Sequence, residues 1–453
     1  MLFSPNWVIA NLARIKDVVD QSINALRTTT QRSEETWVSG PAEAWTYQDD
    51  PLLLSVSSFH TRLYHLHRLR WMLLDATSDD DQSSVAHFLT KAEALPFPVL
   101  KASLEALIEP STPTARQVDE EAIKDLLYFA NELPGDSAPE DWKELIRATR
   151  QDFLAPATQA LSHLEQVRAT LAKQGNARLF LTASPDNAAV LEPLLTAIAT
   201  ELSAESVGAP GPTVPRLVAQ RVMARGKLEE EPTFMALVAP NMQGGVHLHS
   251  AKFVSVKDLD EESALQFLAA KLYGGGGPHG VFMKTWGAGL AYSNGLRSSA
   301  IEGRIAYYAE RTPELPQTLK FVIAELRNAP RDKPLSEYAL AQVFVGTRAG
   351  GSFEGRTSAM AGDLADGIAP EVIEAFRRSI LALRNKPDLE HALYSRMDAA
   401  ASRVLPGYTD TSNPTPGATY FVIGPDKQLA SWESYLGAPL HRLFPRDYWV
   451  VVE

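Results

Sequence analysis

The chain of 453 residues contains no cysteine, which excludes disulfides, thiol catalysis and thiolate zinc sites. No run of residues reaches the roughly 18 apolar positions that a membrane-spanning helix needs. The N-terminus, Met1–Trp7, lacks the basic region and apolar core of a signal peptide. We therefore expect either a cytoplasmic protein or a chain derived from a longer precursor, and the compartment stays open.

An excess of basic residues is also missing. The formal net charge is −12 and the pI is near 5.4, whereas nucleic-acid binders usually present a basic face. With 45% hydrophobic and 22% charged residues, the composition is that of a folded protein of about two or three domains. We expect no nucleic-acid partner.

No histidine pair has the spacing of a zinc peptidase. Two histidines four residues apart on a helix can meet one ion, as in H-E-x-x-H or H-x-x-E-H. None of the ten histidines is four residues from another, so neither motif exists. His247 and His249 alternate and can point the same way, but two histidines without a nearby carboxylate are more often packing residues. We expect no metal site in this chain.

Nucleotide and serine-hydrolase motifs are absent as well. The four glycines 274–277 invite comparison with a phosphate loop, but Lys284-Thr285 follows Gly280 by four residues and the Walker spacing fails. No G-x-S-x-G elbow occurs. The glycine run predicts a helix end and a tight turn.

Hydrophobic periodicity divides the chain into a helical part and a mixed part. In the first part the pattern predicts helices over 6–28, 52–75, 79–95, 97–134 in pieces, 139–173 and 184–202. It also predicts one strand at 177–183. A small-residue segment, 204–214, is the best linker. The second part predicts strands at 216–224, 233–239, 289–295, 303–309 and 419–424, with helices at 258–272, within 312–404 and at 425–436. We predict units at 1–205 and 215–453 in an α+β arrangement.

One stretch of the second part resembles a known family. Residues 272–295 read LYGGGGPHGVFMKTWGAGLAYSNG, a helix end, glycine turn, short helix and strand. This order resembles the second half of pitrilysin/insulinase-type zinc metallopeptidases, and RIAYYAE at 304–310 and FVIGP at 421–425 resemble later strands of the same half. SGPAEAW at 39–45 looks like the third domain of presequence-protease-like members.

The resemblance implies two-layer α+β sandwich domains. Residues 1–205 would be a mostly helical third-domain-like unit, in which 76–138 is a possible insertion, and 215–453 a fourth-domain-like unit. It also implies a function: the non-zinc half of a metalloendopeptidase, which forms a chamber wall and binds unstructured peptide while zinc lies in a partner half.

The family uses an arginine and a tyrosine to hold substrate and support the transition state. The tyrosine maps to Tyr292, and the arginine position falls on Thr285 or, with a one-residue shift, on Lys284. Asn294 and Arg297 are expected to line the chamber. The alternative is an inactive homologue that serves as scaffold or partner subunit, and an unrelated helical binding protein fused to an α+β domain also stays open.

Overall fold

The structure is a computed structural model. It describes residues 5–32, 59–76, 95–108, 117–154, 157–202, 204 and 217–448, except 177, 178, 180, 182, 241, 275–278, 348–350, 366 and 410–413. The predicted helix at 79–95 lies almost entirely outside these ranges, as do the linker 204–214 and the segment 39–45. None of the described helices is both long and apolar enough to cross a membrane.

The N-terminal part is helical in the described ranges, as predicted. Its helices are α1 (Pro5–Ala10), α2 (Leu12–Arg32), α3 (Phe59–Ala76), α4 (Phe97–Ile108), α5 (Gln117–Glu132), α6 (Ala138–Leu154), α7 (Ala157–Leu171) and α8 (Pro185–Thr200). Helix α8 begins where Ser184 accepts a hydrogen bond from the amide of Asn187 and Pro185 occupies the first turn. At 179, 181 and 183, where a strand was predicted, the described residues are not in a strand.

The mixed α/β fold predicted for the C-terminal part is confirmed. Its helices are α9 (Leu217–Gly226), α10 (Glu261–Lys271), α11 (Val281–Gly287), α12 (Leu315–Arg327), α13 (Lys333–Gly346), α14 (Phe353–Ala365), α15 (Pro370–Ala382), α16 (Leu389–Ser402), α17 (Asp426–Leu436) and α18 (Pro445–Tyr448). Its strands are β1 (Phe234–Val238), β2 (Gly245–Lys252), β3 (Ser293–Ser299), β4 (Arg304–Thr312), β5 (Thr419–Gly424) and β6 (His441–Leu443).

The strands of the described residues form one six-stranded sheet in the order β3-β4-β2-β5-β1-β6. Strands β3, β4, β2 and β5 pair antiparallel, and β1 runs parallel to both β5 and β6. Seven of the eight residues of β2 are buried, because this strand lies inside the sheet and helices cover both of its faces. Both faces are therefore buried.

One face of the sheet packs against the C-terminal helices. Strand residues Tyr307, Tyr420 and Val422 share a core with α10, α12, α13, α15, α16 and α17. Helix α10 begins at Asp260, whose carboxylate accepts a hydrogen bond from the amide of Ser263, and acidic residues occupy its first turn.

The opposite face packs against the N-terminal helices. Met235, Leu237 and Phe421 share a second core with apolar residues of α2 to α6, among them the buried Trp71 and Trp142. The buried Asp141 of α6 accepts hydrogen bonds from the amide and guanidinium of Arg446, at 3.1 and 3.0 Å. Burial raises the pKa of Asp141, against the opposing effect of these bonds.

Two predicted strands differ in the structure. The segment predicted as a strand at 216–224 instead lies in helix α9 from Leu217 onward. The helix places Arg221 and Arg225 one turn apart, where Arg221 donates to the carbonyl of Arg446 and Arg225 pairs with Asp447. The strand predicted at 289–295 begins at Ser293 and continues to Ser299.

Both edges of the sheet are covered. At β3, the ammonium of Lys271 donates to the carbonyl of Ser298 at 2.5 Å, and Gly274 lies so close to Leu296 that an added Cβ would be 2.7 Å from its carbonyl oxygen. At β6, Arg225 donates to the carbonyl of Arg442 at 2.6 Å. Covered edges do not offer their backbone to another strand.

Candidate substrate-binding surface

Two arginine–tyrosine pairs occur along the paired strands β3 and β4, one within the ladder and one at its end. Arg311 lies over the ring of Tyr292, with 4.8 Å from the guanidinium carbon to the ring centre, and Arg297 lies over Tyr308 at 4.2 Å. We call Tyr292 and Arg311 the arginine–tyrosine surface. The antiparallel register explains the proximity of Arg297 to Tyr308, since Gly295 faces Tyr308 and Arg297 faces Ala306.

The inner pair is fixed by hydrogen bonds. Arg297 donates to the hydroxyl of Tyr308 at 3.0 Å, and the hydroxyl of Ser293 lies 3.3 Å from the same oxygen. The ring lies over Gly295, where a Cβ would be 3.2 Å from the ring carbon Cε1. Glycine at this position therefore makes room for the tyrosine ring.

The outer pair is more open. Tyr292 is 52% exposed, and its amide donates to the carbonyl of Glu310 at 3.0 Å. Arg311 has φ of 50°, a left-handed conformation that is uncommon for a residue other than glycine.

This conformation belongs to an extra residue in β4. Between Gly245 and His247 two residue steps of β2 face three of β4, from Thr312 to Ala309, which is a β-bulge. Bulges change the direction of side chains at strand ends and are frequent beside functional sites. Here the bulge adjoins Arg311, the partner of Tyr292.

The chemistry of this surface is that of a hydrogen-bond donor. Guanidinium groups donate in a planar fork that suits carboxylates and carbonyl oxygens, and a tyrosine hydroxyl donates a single directed bond. The pair of Tyr292 and Arg311 presents such donors beside exposed aromatic area, a combination that suits an extended peptide with mixed side chains, whereas Tyr308 is buried.

Other residues predicted for the site lie elsewhere. Lys284 on α11 pairs with Glu325 on α12 at 2.7 Å, on the side of the C-terminal helices. Thr285 is fully buried, and its hydroxyl donates to the carbonyl of Val281 at 2.8 Å. Asn294 is buried and donates to the carbonyl of Phe282 at 3.4 Å. The structure thus pairs Tyr292 with Arg311 and Arg297 with Tyr308, whereas these three residues have other partners.

Sequence reasoning did not find Tyr308 and Arg311. Tyr308 had a usable signal, because a bulky residue opposite glycine in an antiparallel pair often fills the space that the glycine leaves. Arg311 had none, since its position depends on the bulge in β4.

His247 and His249 form a fully buried pair on the face of the C-terminal helices. The Nδ1 of His247 lies 3.3 Å from the Nε2 of His249. The remaining nitrogens face carbonyl oxygens: Nε2 of His247 is 3.0 Å from that of Leu315, and Nδ1 of His249 is 2.8 Å from that of Val404. Each neutral imidazole carries one N–H group, so the pair has two N–H groups for these three contacts.

Aromatic rings surround this histidine pair. The ring of Trp432 stacks on His249 at 5.9 Å between centres, and Tyr307 lies within 6 Å of both histidines. Burial lowers the pKa of His247 to about 4. Burial also lowers the pKa of His249 well below its ordinary range, and the neighbouring His247 adds to this effect. Among the described residues no three histidine, aspartate or glutamate side chains come together as metal ligands.

No protein-family model matches the chain, and no curated protein matches it significantly. Among solved structures, it is similar to a peptidase M16 inactive domain from Pseudomonas fluorescens, with 15% identity and a TM-score of 0.32 over 82% of this chain and 76% of that one. A protease from Helicobacter pylori has 10% identity and a TM-score of 0.39 over 81% and 78%. Pitrilysin has 10% identity and a TM-score of 0.35 over 81% of this chain and 34% of that one. TM-scores below 0.5 do not establish a family.

Proposed function

We propose that this chain is the non-zinc half of a pitrilysin/insulinase-type metalloendopeptidase, which contributes a chamber wall and binds the peptide substrate. The proposal is supported by the ordered sequence resemblance of 272–310 and 421–425 and by the missing H-x-x-E-H motif. The observation that carries it is the arginine–tyrosine surface, where Tyr292 is half exposed and Arg311 lies against its ring.

In this role the chain supplies donors rather than the nucleophile. Zinc in the partner half would activate the attacking water. The Tyr292 hydroxyl would donate to the substrate carbonyl or to the oxyanion that forms from it, and Arg311 would orient the peptide backbone. Lys284 and Thr285, the other predicted supports, are a less suitable source of such donors because their side chains already have partners.

The proposal is tested in two steps. First, binding of a fluorescein-labelled unstructured peptide to the chain alone is measured by anisotropy, comparing Tyr292→Ala with Phe353→Ala, a change at another exposed aromatic residue. We expect binding to weaken only in Tyr292→Ala. Equal affinities of the two variants would remove the arginine–tyrosine surface as the peptide site.

The second step adds a zinc chain. The protein is mixed with a chain that carries H-x-x-E-H and is encoded next to it, and cleavage of a fluorogenic peptide is followed. We expect cleavage only in the mixture, loss with chelator, and a fall in kcat/KM of about tenfold to 100-fold for Tyr292→Phe. Cleavage that is unchanged in Tyr292→Phe would contradict the role of this hydroxyl.

The scaffold alternative has an observation of its own. Helix α8 has no buried residue, and its apolar Val190, Leu194 and Ile198 are 66%, 59% and 62% exposed. An apolar helix face of this kind is a usual place for a partner subunit. Stable association with the zinc chain, abolished by Leu194→Glu but without peptide cleavage in any mixture, would favour the scaffold function.

A further inference from the structure

A cavity of about 720 Å³ opens among the C-terminal helices. Helices α10, α13, α14 and α15 and the end of β3 form its walls. Much of the lining is apolar, and Phe267, Ile373 and Phe376 are representative. Its volume falls in the range of small-molecule sites, which are roughly 300–1,000 Å³.

Two cations line this cavity without a paired carboxylate among the described residues. Lys271 is half-buried, and its ammonium contacts the carbonyl of Ser298 and the ring of Phe267 at 5.1 Å. Arg377 lies over the ring of Phe344 at 4.9 Å, and its buried Nε has no hydrogen-bond acceptor within the described ranges. An ammonium can donate three hydrogen bonds and a guanidinium five, so both have capacity left for a ligand.

Within the described ranges neither acidic residue of the cavity forms an ion pair with Lys271 or Arg377. These residues are Asp363 and Glu374, and Glu374 is paired with Arg378, although Arg377 also lies close enough to help lower the pKa of Glu374. Burial lowers the pKa of Lys271 to about 8, so its ammonium is still largely charged near neutral pH. In a protein with a net charge of −12, a cavity with two such cations is a specific feature.

We propose that this cavity binds a carboxylate attached to an apolar chain, with Lys271 and Arg377 holding the carboxylate and the apolar walls holding the chain. The free ligand carboxylate would supply the acceptor that Arg377 Nε lacks, and its apolar part would cover Phe267 and Phe376. A medium-chain fatty acid and the C-terminus of a peptide that ends in an apolar residue share this chemistry.

Binding is tested on the whole chain by calorimetric titration with two matched pairs of probes. One pair is decanoate and its neutral analogue decanol, and the other is a short peptide ending in Phe with a free or an amidated C-terminus. We expect decanoate or the free peptide to bind at least tenfold more tightly than its uncharged counterpart. The tighter of the two identifies the source of the carboxylate. Equal binding of charged and uncharged forms, or no binding of any probe, would overturn the proposal.

Variants assign the binding to the two cations. We expect Arg377→Gln and Lys271→Met each to weaken binding of the carboxylate probe at least tenfold, while the exposed control changes Arg384→Gln and Lys257→Met leave it unchanged. Because Lys271 also covers the β3 edge, the circular dichroism spectrum of each variant is compared with that of the parent chain. A folded Arg377→Gln variant with full affinity would refute the role of the arginine.

Discussion

Acidification should destabilise this protein through the buried histidine pair. The folded-state pKa of His247 is about 4, against about 6.5 for an exposed histidine, because burial disfavours the imidazolium. Between these values the unfolded chain binds a proton that the folded chain does not, so the free energy of unfolding decreases as the pH falls. Between pH 7 and pH 5, His247 alone should lower the free energy of unfolding by about 2 kcal/mol, and His249 acts in the same direction.

The assay is urea unfolding at pH 7 and pH 5, followed by tryptophan fluorescence. Carboxylates also contribute to the pH dependence, so the decisive quantity is a difference between proteins. We expect the parent chain to lose about 2 kcal/mol more than His247→Gln over this range. The matched control His163→Gln, at an exposed position, should keep the dependence of the parent.

Two outcomes would refute this reasoning. Equal pH dependence of the parent and His247→Gln would mean that His247 does not titrate differently in the two states. A parent chain that gains stability relative to His247→Gln on acidification would mean that the pair holds a shared proton. Such a proton would satisfy all three contacts of the pair, to each other and to the carbonyls of Leu315 and Val404, and would outweigh the cost of burial.

Three further predictions concern stability and binding. Gly274→Ala should lower the free energy of unfolding by about 2 kcal/mol, because the added Cβ would meet a backbone carbonyl. Gly362→Ala, in open space within α14, should raise it by about 0.5–1 kcal/mol. Thermal melts in which Gly274→Ala is the more stable variant would contradict both predictions. Asp141→Ala should lower the free energy of unfolding by about 2 kcal/mol, because the N-terminal helices lose their bond to Arg446. In limited proteolysis, α6 should then be cleaved before the sheet, and cleavage of both at the same rate would argue against this prediction. Arg311→Gly should keep or raise the melting temperature, because glycine adopts the left-handed backbone conformation of this position without strain. The same change should weaken peptide binding at the arginine–tyrosine surface, and unchanged binding would remove this residue from the site.

Much of the C-terminal fold could be predicted from the sequence because its elements carry strong local signals. Strand β5 was predicted at 419–424 and is Thr419–Gly424, since a short apolar run lies between turn residues. Helix α10 was predicted at 258–272 and is Glu261–Lys271, since Asp260 and the two glutamates mark its start. Strand β6 was missed because three residues carry no periodic pattern.

The candidate site was harder to predict, because its geometry depends on contacts between distant residues. Tyr292 and Arg297 were named from the family resemblance, and each contacts an aromatic or basic partner on β4 that the resemblance did not indicate. Lys284 and Thr285 were named from the same resemblance, but helix α11 directs Lys284 toward Glu325 and buries Thr285. The bulge that displaces Arg311 has no sequence signal, since it arises from the pairing of β2 with β4.

The covered edges of the sheet limit how a peptide can be held. Because α10 and the residues after it cover β3 through Lys271 and Gly274, an incoming chain cannot lengthen the sheet there by main-chain pairing. A substrate would instead be bound by side chains on the sheet face. Side-chain contacts of this kind select a peptide by its shape and flexibility more than by its register. The contacts that cover β3, with that of Arg225 at β6, would hinder a second copy from adding a strand at these edges.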